Sequence, residues 1–222
     1  MSLEEEKALA NVLAGDSLNA EGSRDAIGRS ALTNVHQISA ERGGPDYIAH
    51  FVIRTEAFDE TLAWHRSFFD ARDVYFQDGL AFLTFDDEHH RIAIGRVPGL
   101  TEHKETVAGI DHIAFTIRDF GRFIANYERL RALDIRPFWC INHGPTTSLY
   151  YRDPTGVKLE IQTDNVSAAG GPADFFKTDD FARNPIGVEF DPDLLASKFH
   201  AGEPLDELMK QGSAPADSTA QN

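Results

Sequence analysis

The stretch GIDHIAFTIRD, residues 109–119, carries the reading of the whole chain. Its apolar residues alternate as in a β-strand with one buried face, because successive strand side chains point to opposite sides. One histidine, His112, sits inside that alternation. An earlier stretch, YIAHFVIRTEA at residues 47–57, has the same order: an aromatic or apolar start, then His50, then apolar alternation, then an arginine.

The match extends downstream of both histidines. After IAHFVIRT comes a helical segment, FDETLAWHRSFF, in which Phe58, Leu62 and Phe69 recur at helical spacing, then strands in DVYFQ, LAFLTF and HRIAIGR. After IDHIAFTI comes DFGRFIANYERLRAL, with Phe120, Phe123, Tyr127 and Leu130 on one side, then strands in IRPFWCIN, TSLYYRD and VKLEIQT. Each unit reads βαβββ. A repeat this short does not bury its sheet alone, so the two units are expected side by side. The expected fold is α+β, with two tandem βαβββ modules forming a curved mixed sheet around a central cleft.

This paired domain is assigned to residues 46–164. Residues 1–45 read as an N-terminal helical extension, with helices near Leu3–Ala14 and Ser23–Ile38 stopped by Gly43-Gly44-Pro45. Residues 165–222 read as an extended C-terminal wrap. Gly170-Gly171-Pro172, Asn184-Pro185 and Asp191-Pro192 break it, and a short helix is expected near Pro192–His200. From Gly212 onward the chain is small and polar, the composition of a disordered tail.

Composition excludes several classes. The 222 residues carry a formal net charge of −15, a field that repels phosphate backbones and speaks against nucleic acid as a partner. No apolar run has the length of a membrane span. The acidic N-terminus lacks the basic-then-apolar order of a signal peptide, and Cys140 is the single cysteine. Both point to a cytoplasmic protein without disulfides.

Strand alternation assigns faces. Ala49, Phe51 and Ile53 oppose His50, Val52 and Arg54; Ile113, Phe115 and Ile117 oppose His112, Ala114 and Thr116; Val157, Leu159 and Ile161 oppose Lys158, Glu160 and Gln162. His50, His112 and Glu160 therefore fall on the less apolar face. Two imidazoles and one carboxylate form a facial set that leaves coordination positions free, a pattern suited to non-haem Fe(II), with Mn(II) as a chemical neighbour. A glutamate between Leu159 and Ile161 is costly to bury without a cation. Aligning RIAIGR on KLEIQT sets Ala93 opposite Glu160. Alanine cannot coordinate, so three protein ligands and an open side are expected.

With these residues in place, the chain resembles the vicinal oxygen chelate superfamily. Within it, the chain resembles the type I extradiol catechol dioxygenases, in particular one-domain enzymes related to dihydroxybiphenyl dioxygenase. The resemblance covers about Tyr47–Asp164. EHHRIAIG, residues 88–95, is similar to the family's His-His segment, which implies that His90 lies over the oxygen-binding side and shuttles a proton. NHGPTTSLYYRDPTGVKLE, residues 142–160, is similar to the segment running from the catalytic histidine through a tyrosine to the ligand glutamate. That implies His143 and Tyr150 as groups that hydrogen-bond the substrate. Some family members carry asparagine after this histidine, where Gly144-Pro145 stands here. The implied substrates are a catechol-type small molecule and O2.

His89 reads as structural, and Asp153-Pro154-Thr155-Gly156 as turn chemistry. Trp139 and Cys140 suit either the cleft or the core. His36, His65, His103 and His200 read as exposed helix or loop residues without a role. Two other functional classes use the same fold: a metal-dependent isomerase or epimerase, and a resistance protein that sequesters an aromatic or antibiotic. His90, His143 and Tyr150 together speak against the first, and a metal-ligand set against the second. The terminal additions are candidates for contacts in a homo-oligomer.

Overall fold

The computed structural model describes residues 44–101, 103–104, 106–165 and 172–216. The helices expected within residues 1–43 and the part of the expected tail beyond residue 216 lie outside the described residues; residues 212–216, expected as part of that tail, are instead packed, with Ala214 buried and Pro215 bridged to Phe190.

The first module is β1 (Phe51–Thr55), α1 (Phe58–Phe69), β2 (Arg72–Gln77), β3 (Leu80–Thr84) and β4 (Ile92–Arg96). The second is β5 (His112–Thr116), α2 (Phe120–Ala132), β6 (Trp139–Asn142), β7 (Thr146–Arg152) and β8 (Lys158–Asp164). Both follow one topology. The first strand pairs parallel with the last, giving orders β1-β4-β3-β2 and β5-β8-β7-β6, and the remaining pairs are antiparallel. The predicted βαβββ repeat is therefore present, as two sheets rather than one continuous sheet.

Local chemistry sets the element boundaries. The β2–β3 hairpin turns at Asp78-Gly79, both with positive φ, the backbone that a tight two-residue hairpin needs. Asp119 caps α2 by accepting from the backbone N–H of Arg122. Helix α1 carries Asp59 and Glu60 in its first turn and Arg66 in its last, the charge order that opposes the helix dipole.

The apolar rows pack as the alternation predicts. Phe58, Leu62, Ile53, Leu83, Ile92 and Ile94 form the first core. The second is built on Phe120, Phe123, Tyr127, Leu130, Leu149, Leu159 and Ile161, and also takes Phe68 from the first module. Full burial of one such side chain is worth about 1.5–3 kcal/mol, so the shared core is a strong tie between modules. Phe115 of β5 meets Phe51, Phe69 and Phe85 at ring distances of 5.8, 4.8 and 5.9 Å. Arg129 donates to the carbonyls of Ser67 and Phe68 at the end of α1.

His65 departs from the sequence expectation. It is fully buried in α1, where Nε2 lies 3.0 Å from Oδ2 of Asp153 in the second module. The helix face that carries Leu62 turns His65 toward the neighbouring module instead of toward solvent. The Asp153 turn, which reads as local chemistry, is thus also an intermodule contact.

The C-terminal addition is more helical than its breakers suggest. It contains α3 (Pro172–Phe175), α4 (Asp179–Arg183), β9 (Val188–Glu189), α5 (Pro192–His200) and α6 (Leu205–Leu208). Thr178 and Asp191 cap α4 and α5, and Pro192 fits the first turn of α5, where its missing N–H costs nothing. Strand β9 adds to the outer edge of β6.

Candidate active site

Glu160, Gln162 and Asp164 lie on one face of β8, and all three line a cleft of about 420 Å³ with His143, Thr146 and Tyr150. Across the antiparallel β7–β8 pair, Tyr150 is the direct partner of Glu160. Tyr151 points the other way into the core, 5.1 Å from the ring of Phe68. Tyr150, and not Tyr151, therefore shares the face of Glu160.

Glu160 is buried, and its Oε2 lies 3.1 Å from Nε2 of His112. Burial alone would raise its carboxyl pKa, but hydrogen bonds from His112 and Ser148 outweigh burial and hold it below the usual glutamate range. The same Glu160 bond raises the His112 pKa against burial, with help from Asp111. Oδ2 of Asp111 sits 2.8 Å from His112 Nδ1 and fixes the ring, while its Oδ1 accepts from Lys158. Asp111 was not singled out from sequence, although a carboxylate directly before a candidate ligand histidine is a legible signal.

His143 follows β6. Its Nδ1 lies 2.5 Å from the carbonyl of Ile186, which only accepts, so Nδ1 carries the ring proton. Nε2, 3.1 Å from the Tyr150 hydroxyl, then offers a lone pair to that O–H. Burial holds the His143 imidazole below its ordinary pKa, which favours this neutral form. Gly144, where asparagine occurs in the resembled family, has φ +102, and a Cβ there would overlap the ring of Phe175. The Phe175 ring fills that space. Trp139 stacks obliquely on Tyr150 at 4.8 Å and donates to Glu189, so it backs the cleft. Cys140 is half-buried on the opposite face of β6 against the second core, and that burial pushes its thiol up to about 12, so it is no nucleophile.

His50 and His90 form a separate group. Their rings lie 4.4 Å apart, His90 stacks on Phe82 at 4.7 Å, and Nδ1 of His89 is 2.6 Å from Nδ1 of His90. Burial, then the neighbouring His50 and His89, lower the His90 pKa. Among the described residues, no three His, Cys, Asp or Glu side chains stand close enough to hold one metal ion. The expected ligands thus fall into a close pair, His112 with Glu160, and a third residue, His50, placed with His90. His50 stands one position before the first ladder pair, Phe51 with Ile92, and is exposed, so the sheet does not fix its ring.

The donor chemistry nevertheless fits a divalent cation. A buried carboxylate meets an imidazole whose other nitrogen is held by a second carboxylate, the arrangement that orients metal-binding histidines. The first module also carries no counterpart of Glu160. Val52 pairs with Ala93 as Ala114 pairs with Glu160, so Ala93 occupies the equivalent register position, as the repeat alignment predicts.

A family model for the Glyoxalase/Bleomycin resistance protein/Dioxygenase superfamily matches residues 47–161. The chain belongs to this superfamily. The resemblance drawn from His50, His112 and Glu160 is therefore borne out at family level. Two curated relatives come from Rhodococcus globerulus. Biphenyl-2,3-diol 1,2-dioxygenase 2 is 39% identical over 161 residues, covering 72% of this chain and 85% of the relative. Biphenyl-2,3-diol 1,2-dioxygenase 3 is 38% identical over 169 residues, covering 75% and 89%. Both names agree with the expectation of an extradiol catechol dioxygenase. Among solved structures, a fosfomycin resistance protein from Listeria monocytogenes is 20% identical over 54% of this chain and 94% of that chain, with a TM-score of 0.43. Among the described residues of this superfamily member, no helix is long and apolar enough to cross a membrane.

Proposed function

We propose that the protein is an extradiol ring-cleaving dioxygenase that opens a catechol beside its two hydroxyls and incorporates both atoms of O2. The observation that carries this reading is the His143–Tyr150 hydrogen bond in the same cleft as the buried Glu160. That cleft combines a candidate metal carboxylate with a neutral acid–base pair. The names of the two relatives support the same reaction class.

His50, His112 and Glu160 are the proposed ligands of Fe(II), with Mn(II) as the chemical alternative. Bound there, the ion supplies Lewis acidity toward the catechol hydroxyls and the redox chemistry with O2. The protein's own groups handle position and protons. Asp111 holds the His112 ring through Nδ1. The Tyr150 hydroxyl, held toward His143 Nε2, hydrogen-bonds a substrate oxygen and passes its proton to that nitrogen when the substrate requires it. Ile186 keeps His143 in the tautomer that can accept. His90, with a lowered pKa, is available as a neutral base on the His50 side of the site. Its lone cysteine and lack of an apolar span suit a cytoplasmic enzyme acting on small molecules.

The test is oxygen uptake by anaerobically Fe(II)-loaded protein against a catechol panel, repeated in labelled O2. A ring-opened product carrying both labelled atoms, with aldehyde exchange controlled, is expected. Tight Fe(II) binding with no O2 consumption on any catechol would turn the assignment toward an isomerase.

A further inference from the structure

Residues 172–187 lie beyond the stretch matched by the family model, which ends at residue 161. Phe176, Phe181 and Pro185 nevertheless line the same cleft as Glu160, His143 and Tyr150. Phe176 is 55% exposed, and Phe181 meets its ring edge-on at 5.2 Å. Two aromatic rings held together at the wall of a cleft, one of them exposed, gain by being covered with apolar surface.

The segment is anchored where the chemistry is placed. The Ile186 carbonyl accepts from His143, and the side chain of Asn184 closes a turn onto both the N–H and the carbonyl of Gly187. Gly187 has φ +117, and a Cβ there would overlap the Asn142 carbonyl and the His143 backbone. Only glycine permits that approach. Val188 and Glu189 then pair with Asn142 and Ile141 of β6. The aromatic wall and the catalytic histidine are therefore mechanically joined. Asp164 lines the same cleft and disfavours an anionic group beside it.

The geometry points to residues 172–187 being a specificity wall of the active site, in which Phe176 and Phe181 hold a neutral, apolar substituent on the catechol ring. This rests on the dioxygenase reading. A carboxylated catechol is the wrong partner for this wall, and an unsubstituted catechol leaves it uncovered.

The test compares wild type with the Phe176→Ala/Phe181→Ala double variant and with Phe176→Leu. Each is titrated anaerobically with catechol, 3-phenylcatechol and a carboxylated catechol, read by tryptophan fluorescence, and KM is measured for each diol. Wild type is expected to prefer 3-phenylcatechol over catechol by about 10-fold or more, the scale of one or two aromatic contacts. The double variant should lose about 10-fold of that preference while its affinity for catechol changes less than about 2-fold. Phe176→Leu should retain part of the preference. Thermal melts matching wild type establish that folding is intact, as expected for a wall residue with Phe176's exposure. An unchanged preference in the double variant overturns the wall, as does a wild type that favours the carboxylated diol. Wild type that neither binds nor cleaves any catechol overturns the dioxygenase reading instead, and the wall with it.

Discussion

His65 and Asp153 meet at 3.0 Å with both side chains fully shielded from solvent, and they join the helix of one module to the β7–β8 turn of the other. Asp153 also accepts from the backbone N–H groups of Thr155 and Val157 and from the Thr155 hydroxyl. It therefore closes its own turn and the module interface together. His65→Ala removes a buried partner and leaves the carboxylate short of one hydrogen bond. A loss of about 3 kcal/mol in unfolding free energy is expected from denaturant titration. A loss below the error of that measurement would mean that the shared apolar core alone joins the modules.

The same pair predicts an acid dependence. Burial works to raise the Asp153 pKa, but the hydrogen bonds from His65 and Thr155 outweigh it and hold the carboxyl below the usual aspartate range. A depressed folded pKa stabilises the fold above the unfolded value, and that contribution is lost as pH falls through the folded value. Wild-type melting temperature should therefore fall in strong acid more steeply than that of Asp153→Asn, which begins lower and lacks this group. Parallel curves for the two proteins would exclude Asp153 as a contributor.

Glu160→Gln and His112→Ala each remove one member of the pair in which a buried carboxylate meets a part-exposed imidazole. Iron bound per chain, measured by elemental analysis after anaerobic loading and desalting, should drop at least about 10-fold in each. His50→Ala should do the same if this residue leaves His90 to complete the ligand set. Normal iron content in His50→Ala would remove it from the site and leave a two-residue protein contribution.

His90→Phe should keep iron and slow turnover by about 100-fold or more, the scale of losing a positioned proton-transfer group. Its ring already stacks on Phe82, so phenylalanine fits the same surroundings. Wild-type turnover in this variant would reduce the His89-His90 pair to a hairpin feature.

Tyr150→Phe and His143→Gln should not act independently, because Nε2 and the hydroxyl share one hydrogen bond. The double variant should be only slightly slower than the worse single one, with a coupling of about 1–3 kcal/mol from kcat/KM. Strict additivity of the two losses would show that they serve separate steps.

The sequence by itself determined the two βαβββ modules, the apolar rows of β1, β5 and β8, and the placing of His112 and Glu160 on one side of a sheet. These follow from a period of two that the backbone imposes within each strand, so residues such as Leu159 and Glu160 declare their faces without reference to anything distant. Ala93 at the register position of Glu160 was legible from aligning the two repeats, whereas the pairing of Tyr150 with Glu160 is a register set between strands. Tertiary structure decided the rest. His65 sits on a helix whose exposed-looking position becomes interior only when the second module packs on it. Phe176 sits in the turn after α3 and Phe181 in the five-residue α4, with no long period to read, and they reach the cleft because Gly144 and Gly187 let residues 172–187 close against the turn after β6. The grouping of His50 with His90 instead of His112 is likewise a matter of how chain ends and hairpins meet in space. Contacts of that kind depend on which surfaces come together, and local alternation carries no record of them.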